Sequence, residues 1–313
     1  MDSLCITKEE LVQDIKNSGV NSGDLLFVRI SYKSIGNVEG GPKTVIDALL
    51  EVLGEDGTLV ATAFPNLING YTRFSHKDEI YEKGMPPTTG VIPVIMSKYR
   101  NAHFSSHPLA PYVAIGRLAE EITSIHTPDS GAYFIVKYML DNYSPKCLRI
   151  GGKVFDGTTH VALSEVFVEK DAFQYRENIG LYYRDESGKI LWAKRVSSAF
   201  CPDGFQDFFN KKIYPDNFAV IKESVIGNGK AMLTDMKRTY MIEKKELQLD
   251  IHALDCDSPN CVNCRSLFSY SDYGVWKYCV GQIKNSFRGE QKKQTFRNIY
   301  TCITNYWFGV KCR

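Results

Sequence analysis

Apolar and polar positions change period repeatedly along this chain, and the changes mark alternating helices and strands. Thr7 and Glu10 form a capping-box pair ahead of a first helix. Residues 25–30 (LLFVRI), apolar except for Arg29 and of strand length, read as a buried strand. After a loop at 31–36, Gly40-Gly41 and Pro42 open a helix in which Val45, Ile46, Leu49, Leu50 and Leu53 share one face. Glycines at 54 and 57 stop it, and 59–64 reads as a second interior strand. Residues 65–90 are polar, aromatic and punctuated by Pro and Gly, which predicts a long functional loop without regular elements.

Further along, the pattern predicts helices over 91–99, 118–125, 133–140 and 158–168. Strands are predicted over 112–115 and 147–150, the second ended by Gly151-Gly152. A loop carries Ser105-Ser106-His107-Pro108. From 171 to 240 the pattern is β-like, with strands at 180–184, 190–196 and 230–234, before a helix over 241–254. Such alternation predicts an α/β fold with a central mostly parallel or mixed sheet flanked by helices. After Asp255 the composition shifts to Cys, Asn, Ser and Tyr. Two parts are therefore expected: an α/β domain over 1–254 and a small Cys-rich, basic and aromatic extension over 255–313.

Composition narrows the function classes. A chain of 313 residues with 43% hydrophobic and 12% aromatic content can bury a large core. No apolar stretch reaches the ~20 residues that span a bilayer. The N-terminus holds Asp2, Glu9 and Glu10 and lacks the apolar centre of a secretory signal, so a cytoplasmic location is expected. A net charge of +2 argues neither for nor against nucleic acid, which is not the expected partner, and homo-oligomerisation is left open. Nine cysteines, an odd number, point to thiols or a metal site and not to a disulfide framework. Cys256-x4-Cys261-x2-Cys264, with Cys279 beyond, has the form of a four-thiolate zinc site. His252 is an alternative fourth ligand, an iron–sulfur cluster uses the same thiolates, and unliganded thiols are the bland reading. Lys284, Arg288, Lys292, Lys293 and Arg297 among Phe287, Phe296, Tyr300 and Tyr306 have the interleaving of a nucleic-acid or charged-carrier surface, but read first as an amphipathic helical extension packed on the main domain or on another subunit.

Three stretches in series resemble the aminoglycoside 3-N-acetyltransferase family. FVRISYKSIGNVEGGPKTVIDALLEVLGEDGTLVATAF is similar to the family's strand, Ser-rich loop, GG-x-x-TVIDAL helix and GTLV strand. SSHPLAPYVAIGRLAEEIT resembles its S-x-HP segment, and CLRIGGKVFDGTTHVALSEV its strand followed by a T-x-x-H-x-x-E helix. GNGKAMLTDMKRTYMIEKKEL looks like the closing hairpin and helix, so the resemblance runs over residues 8–254. It implies acetyl-CoA as cofactor and transfer to the amine of an amino sugar, either an aminoglycoside or an intermediate of surface-glycan synthesis. The mixed charge of Arg73, Lys77, Asp78, Glu79 and Glu82 favours an acceptor less basic than a polycationic antibiotic.

Acetyl transfer to an amine needs a base for the attacking ammonium and donors for the oxyanion at the thioester. The family supplies His and Glu at i and i+3. Matching Thr159 and Glu165 to that motif puts Ala162 at the histidine position and His160 two residues before it. Residues five apart on an ideal helix are rotated by about 140°, so His160 and Glu165 do not share a face. Either His160 is the base from the irregular first turn, with Glu165 as its carboxylate, or the motif histidine is lost. His107, held extended by Pro108 beside Ser105 and Ser106, is the alternative base. In the Ser-rich loop, Ser31, Ser34 and Gly36 keep the family pattern, and Lys33 could pair with a phosphate of CoA. Gly40 and Gly41 precede a helix N-terminus, where free N–H groups favour anions. No cysteine sits in a matched motif beside a histidine, so direct transfer without an acetyl-enzyme is expected. The rival reading is a non-catalytic binding protein on a degenerate acetyltransferase fold, with the Cys-rich tail as its working part and Ala162 as its support.

Overall fold

The uninterrupted apolar runs become the centre of the molecule, a computed structural model that describes residues 5–70, 72–152, 157–169, 179–194, 202–214 and 219–257. In chain order the first elements are α1 (Lys8–Asn17), β1 (Leu25–Ile30), α2 (Tyr32–Ile35), α3 (Pro42–Leu53), β2 (Thr58–Thr62), β3 (Ile68–Asn69) and β4 (Ile80–Tyr81). Next come α4 (Val91–Met96), β5 (Ala102–Phe104), β6 (Tyr112–Gly116), α5 (Ala119–Ser124), α6 (Phe134–Asn142), β7 (Lys146–Ile150) and α7 (Thr158–Glu169). The last are β8 (Ile179–Arg184), β9 (Ile190–Lys194), α8 (Pro202–Phe208), β10 (Val220–Ile226), β11 (Gly229–Asp235) and α9 (Met236–Leu249). The Thr7 hydroxyl accepts the Glu10 N–H at 3.2 Å and the Glu10 carboxylate accepts the Thr7 N–H at 2.8 Å, the reciprocal cap expected for α1. The last helix starts at Met236 rather than at 241, because the Asp235 carboxylate caps it through the Arg238 N–H at 3.1 Å.

The main sheet has seven strands in the order β10-β11-β7-β1-β2-β6-β5. It is mixed: β7, β1 and β2 are mutually parallel, while β11 and β6 add to them antiparallel. Alternate residues of the strands supply two separate cores. Leu26, Val28, Leu59, Ala61, Leu148 and Ile150 pack with α1 and α3 on one face. Leu25, Phe27, Val60, Tyr112, Ala114 and Cys147 pack with α5 and α6 on the other, joined by Val161 and Met236. Each fully buried side chain of this size contributes about 1.5–3 kcal/mol relative to exposure. Period-2 patterning is hidden in β1 and β2 because both faces are covered.

The stretch after β2 is more regular than its composition suggested. It forms β3, a 3₁₀ turn at Arg73–His76 and β4, which join a small second sheet. There β9 runs antiparallel along one edge of β8, and β3 and β4 share the other edge end to end. The returning chain is tied to the end of β2, since Thr88 N–H donates to the Phe64 carbonyl at 2.9 Å and the Thr89 hydroxyl to the Thr62 carbonyl at 2.6 Å. A third cluster joins α7, α8 and α9 through Leu163, Val166, Phe205, Phe208 and Leu247. At its edge, Leu254 and Cys256 are buried against Gly204, and Lys211 pairs with Asp257 at 2.9 Å. No helix among the described residues is long and apolar enough to cross a membrane.

Two buried histidines fix the loops at the end of the sheet. The rings of His107 and His126 stack with centroids 4.7 Å apart and planes 4° apart. His107 Nδ1 accepts the Ala110 N–H at 3.1 Å, and a further hydrogen bond ties the ring to the backbone of Ser130. His126 Nδ1 meets the Ser105 hydroxyl at 3.1 Å, and its Nε2 meets the Gly131 carbonyl at 3.2 Å. Burial pushes His107 down to about 4 from the usual 6.5. Burial and the facing His107 push His126 down to about 3. Both are neutral in the fold at neutral pH and take up a proton more readily once unfolded. The unfolded chain then binds more protons below about pH 6.5, so this contribution is complete above that pH and is lost as pH falls toward 4. Urea unfolding is expected to show stability falling between pH 7 and pH 5, where most carboxylates are still ionised. Replacing both histidines by glutamine should flatten that fall; an unaltered slope would show that other groups govern it.

Candidate active site

Parallel strands place their C-terminal ends at one edge, and ligands of open α/β sheets bind in crevices there. Among the described residues, two cavities open at this edge, on either side of the end of β2. The first, about 160 Å³, is lined by the end of β1 from Val28 to Ser31, by Ala61 and Thr62, and by Gly151-Gly152 after β7. Arg29 lies across the strand ends and donates to the Thr62 hydroxyl at 3.1 Å. The Ser34 hydroxyl donates to that of Ser31 at 3.0 Å, and Ser31 N–H donates to the Ile150 carbonyl at 2.8 Å. A Cβ at Gly151 would sit 2.3 Å from the Ser34 hydroxyl, so only glycine lets the Ser-containing turn lie on the end of β7. Gly152 has φ +69° and open space where a Cβ would project.

The second cavity, about 260 Å³, is walled by Phe64 and Pro65 after β2, His107, Tyr133, and Tyr183 and Lys194 of the small sheet. Its base is aromatic: Phe64 meets Tyr112 and Tyr133 edge-on, with centroids at 5.7 and 6.5 Å. The excursion at 65–90 shapes this cavity through Pro65 and Leu67.

His160 sits directly behind that wall. Its ring stacks on Tyr133 with centroids 4.0 Å apart and planes 6° apart, and meets Phe205 edge-on at 5.5 Å. Thr158, Thr159 and His160, the first turn of α7, are all buried. Glu165 lies elsewhere: its carboxylate accepts from Lys244 at 2.7 Å and from the Tyr240 hydroxyl, and Lys137 stands at 3.6 Å. The structure thus does not bring Glu165 to His160, as the five-residue spacing implied. Ala162 is fully buried in the core between α7, α8 and α9, so a histidine there would not face either cavity. His107 does line the second cavity, but its Nδ1 lone pair is held by Ala110 N–H.

A side chain the sequence reading passed over is Glu243 on α9, only 3% exposed, whose Oε1 accepts the Thr159 hydroxyl. The signal was present in the spacing: Met236, Thr239, Glu243 and Leu247 form one buried stripe, and a carboxylate on such a stripe is costly unless bonded.

Of the expected cofactor residues, Ser31 lines the first cavity and Ser34 supports it, whereas Lys33 is exposed on the helical turn α2. Gly36 (φ +105°) is needed for packing on Asn228, whose Nδ2 would lie 2.5 Å from a Cβ. Gly40 and Gly41, both at φ +73°, lead into α3 and are not among the residues lining these two cavities. Among the described residues no three His, Cys, Asp or Glu side chains converge as metal ligands. Cys256 is buried, His252 pairs with Asp255 at 3.2 Å, and Cys261, Cys264 and Cys279 lie outside the described residues.

Comparison with known proteins agrees with this geometry. The family profile described as aminoglycoside 3-N-acetyltransferase matches residues 27–248. Aminoglycoside N(3)-acetyltransferase III from a Salmonella species is 26% identical over 269 residues, 77% of this chain and 88% of that protein. The apoenzyme structure of aminoglycoside acetyltransferase AAC(3)-IVa superposes with a TM-score of 0.68 at 22% identity, over 84% of this chain and 96% of its own. AAC-IIIb, solved as a binary complex with CoASH, superposes with a TM-score of 0.60 at 19% identity, over 78% of this chain and 96% of its own. With its sheet, its cavities and its matched sequence in the same span, the chain belongs to the aminoglycoside 3-N-acetyltransferase family.

Proposed function

We propose that this acetyltransferase moves the acetyl group of acetyl-CoA directly to an amine of an amino sugar, with His160 as general base. The observation that carries this reading is that the family match, 27–248, contains every residue lining both cavities. One cavity suits an anionic cofactor, through the Arg29 guanidinium and the glycines after β7, and a relative of the same fold binds CoASH. The other offers aromatic walls to a sugar ring, with Lys194 as a positive group, which favours an acceptor less basic than a polycationic antibiotic.

In the reaction the amine nitrogen forms a bond to the acetyl carbonyl carbon as the carbon–sulfur bond breaks. The proton shed by the amine passes to the His160 imidazole, which returns it to the CoA sulfur, so CoA leaves as the thiol and the histidine ends neutral. His107 is read as a scaffold residue, because its hydrogen bonds hold the loop at 105–110.

Three outcomes test the reading. Thiol release from acetyl-CoA should be detected with at least one member of a panel of aminoglycosides, simple amino sugars and amino-sugar nucleotides; silence across the panel would contradict it. His160→Ala should lower kcat by about 10²–10⁴-fold, whereas His107→Ala should lower Tm and leave the kcat of the folded enzyme within a few-fold. The reverse pattern would make His107 the base. Arg29→Met should weaken acetyl-CoA binding by about 10-fold or more in calorimetric titration, the scale of one charge-assisted contact. Unchanged affinity would place the cofactor elsewhere.

A further inference from the structure

We propose that Glu243, and not Glu165, is the carboxylate that positions His160, acting through the hydroxyl of Thr159. The inference rests on the reading of His160 as the base and extends it to the group that holds it.

Glu165 is unsuited to the task. It lies on the flank where α7 meets α6 and α9, and its charge is met by Lys244, Lys137 and the Tyr240 hydroxyl. Glu243 has the opposite environment, facing inward from α9 between Thr239 and Leu247, which are also buried. The Thr159 hydroxyl, on a residue 8% exposed, donates to its Oε1. A carboxylate at this depth persists when hydrogen bonds compensate its lost hydration, and the N-terminal turn of α7 adds favourable N–H groups and dipole.

The consequence is mechanical. Thr159 and His160 are adjacent in the first turn of a helix, so a bond that fixes Thr159 fixes the backbone from which the imidazole projects. The anchor is stiff, because α9 begins at the Asp235 cap directly after β11, itself paired to β7. The other end of the imidazole's position is set by the face of Tyr133. His160 is thus clamped between an aromatic ring of the cavity wall and a turn bolted to the last helix. Positional errors of about 1 Å in such groups cost up to about 100-fold in rate.

The experiment compares Thr159→Val, Thr159→Ser and Glu243→Gln in the full chain, each also combined with His160→Ala, using acetyl-CoA and the best amine of the panel. Thr159→Val is expected to lower kcat about 10- to 100-fold with KM for acetyl-CoA unchanged, and Thr159→Ser to restore it. Glu243→Gln, which keeps the shape but replaces the carboxyl group by an amide, should fall between. In the His160→Ala background the same changes should leave the residual rate unaltered, whereas a merely structural role would lower it again. Full kcat in Thr159→Val and Glu243→Gln, with His160→Ala inactive, overturns this inference and leaves the base in place. Full kcat in His160→Ala overturns both.

Discussion

Everything at the site depends on three short parallel strands buried on both faces. β7, β1 and β2 must be covered by helices above and below, so each is followed by a connection leaving from the same edge. Ser31, Phe64 and Gly151 are therefore brought together from distant parts of the sequence. Antiparallel strands β6 and β11 complete the sheet and carry in the remaining pieces: the His107 loop precedes β6, and α9 with Glu243 follows β11. The two cavities are consequences of this arrangement, separated by the end of a single strand.

The chemistry at this edge is sorted by environment. His107 and His126 are histidines made neutral by burial and used as struts. His160 is just as buried but stacks flat on Tyr133, an aromatic ring that lines the second cavity. Glu165 and Glu243 diverge in the same way. One is matched by cations at the edge of the helical layer, and the other is drawn under α7 by a threonine hydroxyl. Residue type alone does not separate these roles; position against the sheet does.

Much of the fold was legible in the chain. β1, α3 and β2 follow from an apolar run, a one-sided stripe and glycine stops, all local signals, and the α1 cap was written in Thr7 and Glu10. The short strands β3 and β4 were not legible, because each is only two residues long and is specified by a partner more than a hundred positions away in β8. The start of α9 was misjudged because Asp235 doubles as the end of a strand and the cap of a helix. At the site, the pairing of His160 with Glu165 was doubtful from helical spacing alone, and the structure separates them. Lys33, Gly40 and Gly41 were named from a local motif, whereas the first cavity is lined by Arg29, Ser31 and Gly152, which converge only in three dimensions.

The central claim is that two substrates meet across the end of β2 and react there without a covalent enzyme intermediate. The most direct measurement is an initial-rate study varying acetyl-CoA and the amine together, with mass spectrometry of the enzyme after exposure to acetyl-CoA alone. The account predicts intersecting double-reciprocal lines and an unmodified chain, since both cavities must be filled for transfer to occur. Parallel lines with an acetylated residue on the enzyme would contradict it.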